Sequence, residues 1–279
     1  MKKSFLLIGL VISLMASAQV LDVKSVQKLQ IPEGDVKVAG ISPDGSYILL
    51  TTNSHSGLQK YQLATGETQV LSSAPGAGYN VQIANDGQSV MFREKTLNRN
   101  NLYKSKLVVR NVNKSLSKTL ALPTRDFSKL DVAGQLQMGR PMVNIQNQQI
   151  VLTVGGTSTV LSPCGADKSY IWPSVSPDAQ HILFYVCGQG AYVCDMNGKN
   201  VQFLGHDLRA PKWYNNQIII GMNDKDNGEV TISSEIVAVS LQGQKQVLTN
   251  GIDAMYPYAA NGKIVCSGLN GETYLIEVK

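Results

Sequence analysis

The chain has little of what enzyme chemistry uses. It holds three histidines, His55, His181 and His206, and four cysteines, Cys164, Cys187, Cys194 and Cys266. No two cysteines form a Cys-x-x-Cys pair, which removes a zinc ribbon or a dithiol redox motif. No Gly-x-Ser-x-Gly elbow occurs, so the nucleophile of an α/β-hydrolase is missing. Beyond residue 18 there is no apolar run long enough to span a bilayer, and no useful amphipathic helical stretch.

The first 18 residues read as a targeting segment. Lys2 and Lys3 make a basic start, Phe5 to Met15 is apolar but short for a span, and Ala16-Ser17-Ala18 is a small-residue cleavage site. Gln19 is the expected mature start. No cysteine follows the apolar run to accept a lipid. A periplasmic or secreted protein is expected, one domain over 19–279, with no transmembrane segment. Export permits disulfides. Cys187 and Cys194 flank a short turn but are offset from one another, which argues against a direct bridge. Buried free thiols, or a bridge from either one to Cys164, remain.

What the chain does have is a recurring turn. Ser42-Pro43-Asp44-Gly45 runs into Tyr47-Ile48-Leu49-Leu50, Ala84-Asn85-Asp86-Gly87 into Val90-Met91-Phe92, and Ser176-Pro177-Asp178-Ala179 into Ile182-Leu183-Phe184-Tyr185. Asn215-Asn216 and Asn261-Gly262 precede similar runs, and Asn147-Gln148 is a weaker copy. Six copies between positions 44 and 261 give about 43 residues per unit, the size of a propeller blade. Asp-Gly and Asn-Gly tolerate positive φ and mark hairpins, and the runs that follow are β-branched or aromatic.

The expected fold is an all-β, six-bladed propeller. The last unit has room for three strands, and a strand at Val26 to Ile31 is free to complete it and close the ring without bare edges. The third blade, around Arg140 to Pro163, is degenerate and expected to hold three strands.

These turns, with Val-Cys-Asp-Met-Asn-Gly-Lys at 193–199, resemble the TolB-type propeller repeat over about 36 to 279. The resemblance implies a propeller. The same repeat occurs in tricorn-like proteins, oligogalacturonate lyases and propellers attached to peptidases, so it does not name one function. TolB carries an α/β domain before its propeller. Here only a short strand separates the targeting segment from the first blade.

Blade geometry sorts the loops. The repeated turns join first to second strands and share one face. The innermost strands begin on the other face, beside the channel, where Pro141, Pro173, Pro211 and Pro257 do little harm. The expected ligand-binding residues at that mouth are Tyr79, Arg140, Trp172, Arg209 and Tyr256, residue types that dominate interfaces and stack on sugar rings. Their bland alternative is packing between blades.

No catalytic residue, metal ligand or cofactor is expected. The three histidines fall on opposite faces and cannot converge on one ion. The segment Asn223 to Glu229 resembles a calcium loop but has Gly228 where a ligand is needed. It reads as a long polar hairpin loop. Asp207 and Asp253 are the one carboxylate pair on the mouth face that a glycosidase would use.

The 25 basic residues exceed the 20 acidic ones modestly, but ten of them lie between Arg93 and Lys129, opposed by Glu94 and Asp126. They are either solvated strand faces or a docking face for an anionic partner, with Arg93, Lys95, Arg99, Lys104 and Lys106 at its centre. Export argues against nucleic acid. The expectation is a monomeric binding protein of the cell envelope that takes a protein or a glycan at the channel mouth. The alternative is a carbohydrate-active lyase or hydrolase, or an accessory to one.

Overall fold

A computed structural model describes residues 19–31, 34–114, 116–124 and 140–279. The targeting segment lies outside the described residues, as do Arg125, Asp126 and Lys129 of the basic region. All regular structure among the described residues is strand, arranged in six antiparallel sheets.

A lone strand, β1 (Val23–Lys28), precedes the first blade. That blade is β2 (Lys37–Ile41), β3 (Tyr47–Thr51), β4 (Leu58–Gln62) and β5 (Thr68–Ser72). The second is β6 (Gln82–Ile83), β7 (Ser89–Leu97), β8 (Tyr103–Asn111) and β9 (Ser117–Thr124). Among the described residues three strands form the third: β10 (Met142–Gln146), β11 (Gln149–Val154) and β12 (Thr157–Leu161). The fourth is β13 (Tyr170–Val175), β14 (His181–Val186), β15 (Gly190–Asp195) and β16 (Gln202–Gly205). The fifth is β17 (Arg209–Trp213), β18 (Ile218–Asp226), β19 (Thr231–Ser240) and β20 (Lys245–Val247). The sixth takes β21 (Ala254–Ala260), β22 (Lys263–Gly268) and β23 (Thr273–Val278), and β1 completes it in the order β1-β23-β22-β21.

Closure is therefore by the N-terminal strand, three residues earlier than the sequence suggests. Val26 lies opposite Ile276 and Lys28 opposite Tyr274. Two anchors set this position. Gln246 Oε1 accepts the N–H groups of Val20 and Leu21, both at 2.7 Å, and Leu21 is buried between the fifth and sixth blades. Leu29 continues along β23, donating its N–H to Thr273 O at 2.8 Å, and Leu29 and Ile31 pack on the Val265 and Leu275 cluster. Burying one such side chain contributes about 1.5–3 kcal/mol.

The core lies in the seams between blades. Leu49, Leu58 and Leu71 pack on Val90, Phe92 and Val108 between the first two blades. Ile150 and Leu152 meet Tyr170 and Phe184 between the third and fourth. Leu183 and Val193 meet Ile219 and Val237 between the fourth and fifth. Both faces of most sheets are covered, so β3 and β14 are almost wholly buried and read as apolar runs rather than alternating ones.

The two Ser-Pro-Asp turns have one mechanism. Ser42 Oγ donates to Asp44 Oδ1 at 2.6 Å and accepts the N–H groups of Ser46 and Tyr47 at 2.9 and 3.0 Å. Ser176 does the same with Asp178, Gln180 and His181. Both serines are buried, so their hydroxyls satisfy backbone donors that water cannot reach. The turns also tie blades together. Asn261 Nδ2 and Lys263 Nζ donate to the carbonyls of Asp44 and Gly45, and Tyr47 Oη donates to Gly87 O at 2.8 Å.

The third blade departs from this scheme. Asn147 and Gln148 both have positive φ and join β10 to β11, as a two-residue hairpin should. That hairpin nevertheless lies on the mouth face. Gln148 O accepts the N–H of Tyr170, where β13 begins. At its other end, Arg140 donates to the carbonyl of Pro177, in the turn on the opposite face. The β10 strand thus runs in the reverse direction to β13 and β17, and Arg140 and Pro141 mark the turn face, not the mouth.

Candidate binding site at the channel mouth

Three innermost strands share a distortion. In β13, β17 and β21 the pairing slips between Ile171 and Ser174, Arg209 and Lys212, and Met255 and Tyr258. At each slip the residue before proline is left-handed: Trp172 at φ 52, Ala210 at φ 45 and Tyr256 at φ 54. A residue before proline prefers extended backbone, and a non-glycine residue at positive φ costs about 1–3 kcal/mol. Such bulges turn side chains out of the regular pleat. In β10 the register is unbroken, so Pro141 marks no bulge.

These residues line one cavity of about 330 Å³, together with Tyr79, Asn80, His55, Lys37, Lys212 and Tyr258. Asn80 and His55 are left-handed as well, at φ 51 and 57. A second cavity of about 360 Å³ continues the channel, lined by Ile83, Met142, Pro173 and Ser174. The two share Val81 and Lys212. Gly78 closes one wall, where a Cβ would stand 1.9 Å from Thr51 Oγ1.

Of the five residues expected at the mouth, the structure brings together Tyr79, Trp172 and Tyr256. Tyr79 is half-exposed at the rim and meets the His55 ring edge-on at 5.3 Å. Trp172 packs edge-on against Tyr185 at 5.4 Å. The Tyr256 ring carries Lys37 Nζ 4.1 Å from its centroid, and Tyr258 carries Lys212 Nζ at 5.5 Å. Arg140 is on the other face. Arg209 is tied up: its Nη1 lies 2.7 Å from Asp224 Oδ2, whose side chain is almost wholly buried. Asp224 and Asp226 fall within β18, so the segment once resembling a calcium loop is mostly hairpin ladder, with Asp224 opposite Ser234.

The sequence reading missed Lys37, Lys212 and Asn80 and set His55 aside. One signal was present. Aligning the proline triplets Trp172-Pro173-Ser174, Ala210-Pro211-Lys212 and Tyr256-Pro257-Tyr258 puts Ser174, Lys212 and Tyr258 at one channel-facing position. Burial lowers the pKa of both Lys37 and Lys212. Burial, and after it the charge of Lys37, lowers that of His55, which favours its neutral imidazole.

The basic second blade adjoins this mouth. Lys95, Arg93 and Ser105 line a small cavity whose wall includes Tyr79. Lys95, Arg99 and Lys104 are exposed, while Lys106 pairs with Glu94 at 2.8 Å. Asp253 accepts the N–H of Ser234, and His206 Nδ1 lies 2.7 Å from Gln189 O. Among the described residues, no three His, Cys, Asp or Glu side chains are placed to hold a metal, and no helix is long and apolar enough to cross a membrane. All four cysteines are free. Cys194 and Cys266 are buried, which pushes both thiols up to about 12, but Cys187 is exposed rather than buried.

No protein-family model and no curated protein matches the chain. Solved structures do. A protein assigned as TolB from Agrobacterium tumefaciens matches 90% of this chain and 92% of its own, at 15% identity and a TM-score of 0.54. A TolB from Acinetobacter baumannii matches 88% of this chain and 64% of its own, at 10% identity and 0.46. An oligogalacturonate lyase from Vibrio parahaemolyticus matches 86% and 76%, at 12% identity and 0.45. The first likeness establishes a TolB-like propeller fold for this chain. At such identity it speaks of fold alone.

Proposed function

We propose that the chain is an exported propeller of the cell envelope that binds rather than catalyses, taking a protein or glycan partner at the channel mouth. One observation carries this. Of the eleven described non-glycine residues with positive φ, five line the mouth cavity: His55, Asn80, Trp172, Ala210 and Tyr256. Strain of that kind is kept where it shapes a site. The mouth is a preformed concavity on a rigid ring, so a partner orders few protein groups on binding. Export rests on the basic start, apolar run and small-residue cleavage site within residues 1–18.

Pull-downs from envelope extracts compare the wild type with a Trp172→Ala, Tyr256→Ala double variant. Loss of one partner with an unchanged melting temperature is the expected result. Equal recovery of every partner by both proteins removes the mouth assignment. Cell fractionation with N-terminal sequencing checks export, with Gln19 as the expected first residue.

A further inference from the structure

The mouth cavity has a one-sided charge. Lys37 and Lys212 line it, and no Asp or Glu does. Among the described residues neither lysine ammonium makes an ion pair or a hydrogen bond. Each is steadied by a tyrosine ring instead, Lys37 by Tyr256 and Lys212 by Tyr258. A ring face orients a cation without cancelling its charge.

Withdrawing an ammonium from water without a counter-charge is costly, and a fold has an easy escape by placing an apolar residue there. Two such ammoniums in one channel, both half-buried, call for a ligand that supplies the missing charge. The surroundings agree. Lys95 on the lip reaches the same rim through Tyr79. Deeper in, Ser174 Oγ is buried without a hydrogen-bond partner in the cavity that shares Lys212. A volume of about 330 Å³ suits a small molecule or one terminal group of a larger partner.

We propose that the channel mouth is a site for a compact polyanion, a carboxylate or phosphate bearing at least two negative charges, held by the ammoniums of Lys37 and Lys212. The Asn80 amide on the wall completes its recognition. This deepens the mouth-binding assignment and rests on it.

The test titrates citrate, inorganic phosphate, acetate and glucose into the full mature chain at constant ionic strength, by calorimetry and thermal shift. Citrate or phosphate binds and raises the melting temperature, and acetate and glucose do not. Citrate-only or phosphate-only binding decides between the two anion chemistries. Lys37→Met and Lys212→Met each weaken that binding by about tenfold or more, the size of a lost charged hydrogen bond. Lys→Gln variants serve where a methionine disturbs folding. Equal response to all four compounds, or binding by both lysine variants that equals the wild type, overturns the proposal. The two readings separate in the outcome. If Trp172→Ala, Tyr256→Ala loses its envelope partner while the lysine variants bind citrate like the wild type, the anion site falls and the mouth assignment stands.

Discussion

On the turn face, Gly45 and Ala179 take equivalent left-handed positions, and a buried serine beside each satisfies the backbone around it. On the mouth face, Trp172 and Tyr256 take left-handed positions before proline, with no turn to require them. The first face spends its polar groups on itself. The second leaves two ammoniums without counter-charges and aims large rings into a cavity. One face is optimised for stability and the other gives some of it up, which is how binding sites commonly differ from scaffold.

The strongest test of that contrast is to break the turns. Ser42→Ala or Ser176→Ala strands two backbone donors in a buried position, and each is expected to cost about 1–3 kcal/mol in urea unfolding. Citrate response should be unchanged in both. Next comes the opposite sign on the other face. Lys212→Met removes an uncompensated ammonium and is expected to stabilise by about 0.5–2 kcal/mol while anion response is lost. A destabilised Lys212→Met with normal ligand response would erase the distinction between the faces.

Smaller still is Ala179→Gly. It relieves a left-handed alanine in the turn that Gly45 fills elsewhere, with an expected gain of about 0.5–1 kcal/mol by chemical denaturation. Trp172→Gly relieves the same kind of strain but removes the Tyr185 contact, so no matching gain is expected.

The faces also differ in pH response. The hydrogen bond from Ser42 holds the Asp44 carboxyl below its ordinary 3.8, and that from Ser176 does so for Asp178. Their folded pKa is depressed, so their contribution is present above pH 3.8 and is lost as pH falls through the folded value. His55 is a base whose folded pKa is also depressed, below 6.5. The unfolded chain then binds the proton first, and stability drops as pH falls from above 6.5 through the folded value. Melting curves between pH 8 and 5 should therefore slope less in His55→Gln than in the wild type.

The turn face was legible because its chemistry is local. Ser42, Asp44, Ser46 and Tyr47 interact within six positions, so spacing alone exposes them. Blade number, the closing strand and the short third blade followed from the same spacing. The mouth is different in kind. Lys37, His55, Tyr79, Trp172, Lys212 and Tyr256 come from four blades and a connecting loop, and only ring closure makes them neighbours. Aromatic type and proline position found Trp172 and Tyr256. The same cue misplaced Arg140, because Pro141 begins a strand of reversed direction and unbroken register. Arg209 was placed beside the mouth, but its partner Asp224 lay in a segment read as a loop and found as ladder.

Asp22 O accepts the N–H of Lys279, so the sixth blade's seam joins residues more than 250 positions apart. Local hairpins of the early blades can form as the chain emerges, but β1 must wait for β23, and its exposed edge is the hazard until then. Removing β23 is therefore expected to leave β1 unpaired and the sixth blade with an open edge.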